Sequence, residues 1–126
     1  MTYANAAETY RRNQILSASP EKLIVLLYDG ALQQLGRAKN ALHSGGKSQS
    51  AEIGIALGKA MAIVGELRGS LDIERGGDIA GNLDRLYDYC LDQIFATNVE
   101  RNPQVIESPI KVLRTLKEGW DAVIAV

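Results

Sequence analysis

The chain is poor in the residues that most often carry chemistry. It has one cysteine and one histidine in 126 residues. A lone Cys90 can form no intrachain disulfide, and it cannot supply the two or four cysteines of the common structural zinc sites. With His43 as the sole histidine, paired Glu-x-x-His motifs for a di-iron bundle and a bis-histidine haem site are excluded by count. Charge of one sign is missing too. Fifteen acids against fourteen bases leave a formal charge of −1, so no excess positive field favours nucleic acid or anionic membranes. The longest strictly apolar run, Leu23 to Tyr28, is far short of a membrane span. The first residues lack the basic-then-apolar pattern of a secretory leader, and the expectation is a soluble cytoplasmic protein without membrane insertion.

Nor do the remaining motifs amount to a catalytic set. Gly45-Gly46-Lys47-Ser48 resembles the end of a phosphate-binding loop, but Ala41 stands where that pattern needs glycine and a helix stands where it needs a strand. Asp84, Asp88 and Asp92 recur every fourth residue, and interleaved with Arg85 they read as a solvated helix face. No nucleophile is paired with a base. The chain is read as no enzyme, with no cofactor and no metal.

What is present is aliphatic and helical. Hydrophobic residues make up 46% of the chain, prolines number three, and no segment sustains strand alternation. Ser19-Pro20-Glu21 is a helix start: a capping hydroxyl, a proline where no amide bond is lost, and an acid at the positive end of the dipole. Ile24, Tyr28, Ala31, Leu35, Ala38 and Leu42 then mark one face. Ile53, Leu57, Ala60, Val64, Leu67 and Leu71 form a second stripe, and Ile79, Leu83, Leu86, Tyr87, Cys90, Leu91 and Ile94 a third. Ile106, Ile110, Leu113, Leu116, Trp120, Val123 and Ile124 form a fourth. Asp78 is a candidate cap for the third helix. Pro109 predicts either a kink in the fourth or a restart capped by Ser108. The expectation is an all-α, antiparallel four-helix bundle at 18–126, with helices near 20–43, 48–73, 79–99 and 103–124. Residues 1–17 form an N-terminal arm, mobile or briefly helical.

Two features exceed what such a bundle requires. Residues 23–28 are apolar at every position, so they point all around the first helix rather than along one stripe. That surplus calls either for cover from the arm, a second copy or a partner, or for a central, unusually buried stretch of helix. On the second helix, Gly54, Gly58, Ala62, Gly65 and Gly69 trace a smooth stripe away from the packing seam, at a cost of roughly 0.8–1.0 kcal/mol per glycine relative to alanine.

Several runs resemble one family. Ser17-Ala18-Ser19-Pro20, Leu23 and Leu26-Leu27-Tyr28-Asp29-Gly30-Ala31 look like the opening of FliS-type flagellar export chaperones. Leu71 through Ala80, with Asn82-Leu83 and Leu86-Tyr87-Asp88-Tyr89, resembles that family's central turn and third helix. Asn98, Trp120 and Tyr10 also match the pattern. Thr97 stands where alanine is usual, and Pro109-Ile110 replace residues of a continuous helix. The resemblance implies an antiparallel bundle that binds the disordered C-terminal segment of flagellin, prevents its premature polymerisation and helps deliver it to the export gate. An export-gate protein and a flagellar assembly regulator are further implied partners. On this reading Tyr10 and Ile15 belong to a displaceable cap, Leu23, Leu27 and Leu83 wall the binding groove, and Tyr89 supplies a hydrogen bond at its rim. The alternative is a structural bundle that self-associates as a homodimer through its surplus apolar face.

Overall fold

The computed structural model describes residues 19–45 and 47–125, with the side chains of Lys47 and of 123–125 left aside. Tyr10, Ile15 and the rest of the arm therefore lie outside the described residues. Four helices follow: α1 (Pro20–Ser44), α2 (Ser50–Gly69), α3 (Ile73–Glu100) and α4 (Glu107–Ala125), with a 3₁₀ turn at Lys47–Gln49 before α2. They form a four-helix bundle in which α1 packs on α2 and α4, and α3 on α2 and α4.

Each boundary has a local cause. Ser19 is extended and its hydroxyl accepts from the Lys22 amide at 3.3 Å, with Pro20 opening the helix. Gly45, at φ 71°, closes α1 by donating its amide to the Ala41 carbonyl. The third helix starts earlier than expected, because Asp72 and not Asp78 is its cap: the Asp72 carboxylate accepts from the Arg75 amide at 3.2 Å. One turn later the helix breaks at Gly77, whose φ of 54° and ψ of −132° lie outside helical space, and then resumes. A Cβ on Gly76 would stand 2.6 Å from the Ala80 Cβ, so that turn admits no larger residue without moving. The second helix ends at Gly69, short of residue 73, where the Ser70 amide donates to the Glu66 and Leu67 carbonyls.

The fourth helix starts later than expected. Asn102 makes a turn, accepting from the Gln104 amide, and the helix begins at Glu107. Pro109 thus falls in the first turn, where its missing N–H has no intrahelical partner to lose, and neither a mid-helix kink nor a Ser108-capped restart is needed. Ser108 is itself helical.

The core contains the expected stripes: Tyr28, Ala31, Leu35 and Ala38 from α1, Ile53, Leu57, Ala60, Val64 and Leu67 from α2, Tyr87, Cys90 and Ile94 from α3, and Ile110 and Leu113 from α4 with Ile106 just before it. Two residues placed on the third stripe are exposed. Ile79 is 73% exposed and Leu86 is 37% exposed. The break at Gly77 leaves the first turns of α3 at the open end of the bundle, and Leu86 faces the seam between α3 and α4.

Polar links fix the register. Asp84 and Asp88 hold the Arg68 guanidinium at 2.7 and 3.1 Å, so two members of the acidic stripe clasp α2 rather than only facing water. At the other end of this pair, Arg101 takes the left-handed conformation at φ 56°. Its guanidinium donates to the Asn98 carbonyl and side chain and to Ser50. Lys39 with Glu107 and Lys117 with Asp29 tie α1 to α4 in antiparallel order.

Candidate functional site: apolar clefts on the bundle surface

The apolar run of α1 does encircle the helix. Tyr28 is buried, while Leu23, Ile24, Val25, Leu26 and Leu27 are each half-buried. One side of that run opens on a cleft of about 420 Å³ where the start of α1, the α2–α3 turn and the end of α4 meet. Ile24, Leu71, Ile79 and Leu83 wall it, Tyr87 and Trp120 contribute aromatic surface, and Asp72 and Arg75 stand among its polar lining. Its volume is within the range of ligand pockets, and its mix of apolar walls with a few polar groups matches theirs.

The other side of the run opens on a second cleft of about 230 Å³, formed by Leu23, Leu26 and Leu27 of α1 with Glu66 of α2. A third, also about 230 Å³, lies between α3 and α4 and is lined by Leu86, Lys111, Val112, Thr115 and Leu116. Leu23 and Leu27 thus share one cleft and Leu83 lines another. Tyr89 lines none of these; its hydroxyl hydrogen-bonds Ser108 across the α3–α4 seam, and the residue is 43% exposed. Residue patterning missed Ile79, Leu86 and Trp120 as cleft residues, because each sits on a helical stripe that reads as core.

Beneath the cleft lined by Tyr87 and Trp120, the Tyr28 and Tyr87 hydroxyls hydrogen-bond each other inside the core, with ring centroids 6.4 Å apart. Burial pushes both phenols above the ordinary tyrosine range. The same burial pushes the Cys90 thiol up to about 12, which makes it a packing group rather than a nucleophile. No described helix is long and apolar enough to cross a membrane.

Comparison with known proteins decides the family. The family model described as flagellar protein FliS matches residues 3–126. The chain belongs to the FliS family of flagellar secretion chaperones. It is 40% identical over 110 residues to the flagellar secretion chaperone FliSB of Pseudomonas aeruginosa, covering 87% of this chain and 85% of that one. It is 39% identical to the Vibrio cholerae flagellar secretion chaperone FliS, covering 88% and 79%. A crystal structure of a bacterial flagellar chaperone superposes with a TM-score of 0.75 at 22% identity, over 98% of both chains, and shares the fold. These FliS relatives are described as chaperones, and the homodimer reading finds no support among them.

Proposed function

We propose that this FliS-family bundle binds the C-terminal segment of flagellin in the cytoplasm, one to one, and holds it unpolymerised until export. One observation carries the reading: the 420 Å³ cleft is walled by Ile24, Leu71, Ile79 and Leu83 and backed by Trp120, and it opens directly from the surplus apolar run of α1. A disordered tail that becomes helical in such grooves trades ordering entropy for apolar burial. Leu23 and Leu27 in the α1–α2 cleft extend the same surface, while Tyr89 offers a hydroxyl beside the α3–α4 cleft. Tyr10 and Ile15 act as the displaceable cap that the family resemblance implies. The loaded complex is the species handed to the export gate, and a flagellar assembly regulator is a further partner.

Calorimetric titration with a flagellin C-terminal peptide tests the proposal. Saturation at one to one with a clearly negative heat-capacity change is expected. Leu83→Asp, placed on a half-buried wall of the cleft, should weaken the affinity by about tenfold or more, corresponding to roughly 1.4 kcal/mol. Absence of heat across several temperatures, or full affinity in Leu83→Asp and Ile79→Asp, would overturn it. The cap is tested separately by Tyr10→Ala with Ile15→Ala, which should alter flagellin affinity; an unchanged affinity would remove these two residues from the mechanism.

A further inference from the structure

Three polar hydrogens meet under the cleft of about 420 Å³ that Tyr87 and Trp120 line. Tyr28 and Tyr87 are 0% and 2% exposed, and their hydroxyls share one hydrogen bond. The Trp120 indole N–H is a further donor to the Tyr28 hydroxyl. An indole nitrogen only donates, whereas each phenol carries one proton and also accepts. Each buried oxygen described here has a partner atom, yet the protons outnumber the places for them. The indole proton goes to Tyr28, and one phenol proton fills the bond between the tyrosines. The other phenol proton is left over, and among the described residues no further group bonds either phenol.

Cost decides which tyrosine keeps it. Tyr28 belongs to the packed core and lines none of the clefts described above, so a proton left on it would be sealed among apolar side chains. Tyr87 borders the cleft. A buried donor without a partner forfeits its full desolvation penalty. The favoured arrangement therefore runs from Trp120 to Tyr28 to Tyr87, and the spare O–H falls on the residue at the cleft floor. Burial also pushes the Tyr87 phenol above the ordinary tyrosine range, so it stays protonated, and a donor, across neutral pH.

We infer that the Tyr87 hydroxyl is the polar selector of this cleft, donating a hydrogen bond to an unpaired carbonyl oxygen of the chain that fills it. The inference rests on the reading of the cleft as the site of the flagellin tail, and adds what the tail must bring there. Inside a helix each carbonyl is already bonded to an amide four residues on; only the last four are unpaired. The stretch lying over Tyr87 is therefore the C-terminal turn of a helix or an extended segment, not a helix interior. Ile24, Leu71, Ile79 and Leu83 supply apolar area, which has no direction. One directional donor at the floor fixes the register of the bound chain along those walls. An apolar side chain in the same place would strip water from the hydroxyl and return nothing.

Two phenylalanine variants separate recognition from folding. Tyr87→Phe keeps the ring and removes the donor. Tyr28→Phe breaks the same core hydrogen bond but leaves the Tyr87 hydroxyl in place. Titrated with a flagellin C-terminal peptide, Tyr87→Phe should bind about three- to tenfold more weakly than the unaltered chain, the worth of one neutral hydrogen bond. Tyr28→Phe should bind within about twofold of it. Equal losses in the two variants, or no loss in Tyr87→Phe, would overturn the inference. NMR of the full chain labelled at the tyrosine Cζ gives a readout that stability alone does not move. The Tyr87 signal should shift when the tail peptide binds, and should shift in the same direction with excess N-acetyl-leucine methylamide, a small probe carrying free carbonyls. If the tail peptide fails to bind, the flagellin reading falls by itself and the amide probe decides this one: an unmoved Tyr87 signal would overturn it.

Discussion

Replacing Gly58 and Gly65 together by alanine should make the free protein more stable, and the size of the gain follows from the surroundings. Both glycines lie inside α2, away from its ends, and both are exposed. An added methyl would touch nothing within 4 Å at either site. No overpacking term therefore opposes the helix-propensity gain of roughly 0.8–1.0 kcal/mol per substitution. The two sites are one another's near neighbours on one face but share no contact, so the gains should add to about 1.6–2 kcal/mol. For a domain of this size that corresponds to a rise in melting temperature of roughly 5–9 °C. Urea unfolding followed by circular dichroism and by the fluorescence of Trp120, the sole tryptophan, provides the assay. The midpoint should rise while the slope with denaturant stays constant. A loss of stability would refute the reasoning, because it would mean that the methyl groups meet something in the folded protein. No change at all would mean that α2 is already frayed around these residues.

Three further outcomes follow from the interior and its polar links. Tyr87→Phe leaves the buried Tyr28 hydroxyl without its partner and should cost about 1–2 kcal/mol, measured by urea unfolding. Cys90 should resist a thiol reagent at pH 8 in the folded protein and react once the chain is unfolded, because burial holds its thiol near 12; rapid native labelling would contradict the packing described here. Arg68 holds the Asp84 carboxyl below the ordinary carboxylate range. A carboxyl lowered in the folded state contributes stability above its unfolded value and loses it as pH falls through its folded one. Arg68→Ala should therefore flatten the acid limb of the stability profile below about pH 4, and added salt should shrink the difference between the two proteins.

The four-helix architecture was legible because the residues that define it obey one rule. Ser19-Pro20 and Gly45 set the ends of α1 by local chemistry alone, and the 3.6-residue stripes from Tyr28 to Ala38 and from Ile53 to Leu67 are the stripes that became buried. The errors fall where two local signals compete. Asp72 and Asp78 are both capping residues, and the choice between them rests on the conformation of Gly76 and Gly77, which patterning does not determine. Pro109 looks like an interior proline only if its helix starts at 103; a start at Glu107 makes the same proline a first-turn residue. The candidate site was harder to read, since a groove wall and a core residue share the same periodicity. Ile79, Leu86 and Trp120 differ from Ile94 or Leu113 only in having no neighbouring helix packed fully over them, a tertiary fact.

The placement of polar links says why these surfaces stay open without loosening the bundle. Lys39–Glu107 and Lys117–Asp29 hold α4 against α1, while the Arg68 clasp and the Arg101–Ser50 contacts hold α3 against α2 at both ends. Single exposed ion pairs contribute about 0–1 kcal/mol each, so they do not replace the apolar core; they fix how the two helix pairs are staggered. That stagger leaves the first turns of α3 projecting past the covered core, with Ile79 and Leu83 facing the start of α1 and the end of α4. A chaperone needs apolar surface that is presented in a fixed shape yet not satisfied internally. In this chain the fixed shape comes from the packed core and the links between helices, and part of the unsatisfied surface, the cleft lined by Gly76, Ile79 and Leu83, lies beside the break at Gly77. Closing that break should consequently reshape the cleft before it alters the core. Gly77→Ala, strained at φ 54°, should reduce flagellin-tail affinity more than it reduces the cooperativity of unfolding. Calorimetry and urea unfolding on the same variant would show whether the two properties separate as this geometry requires.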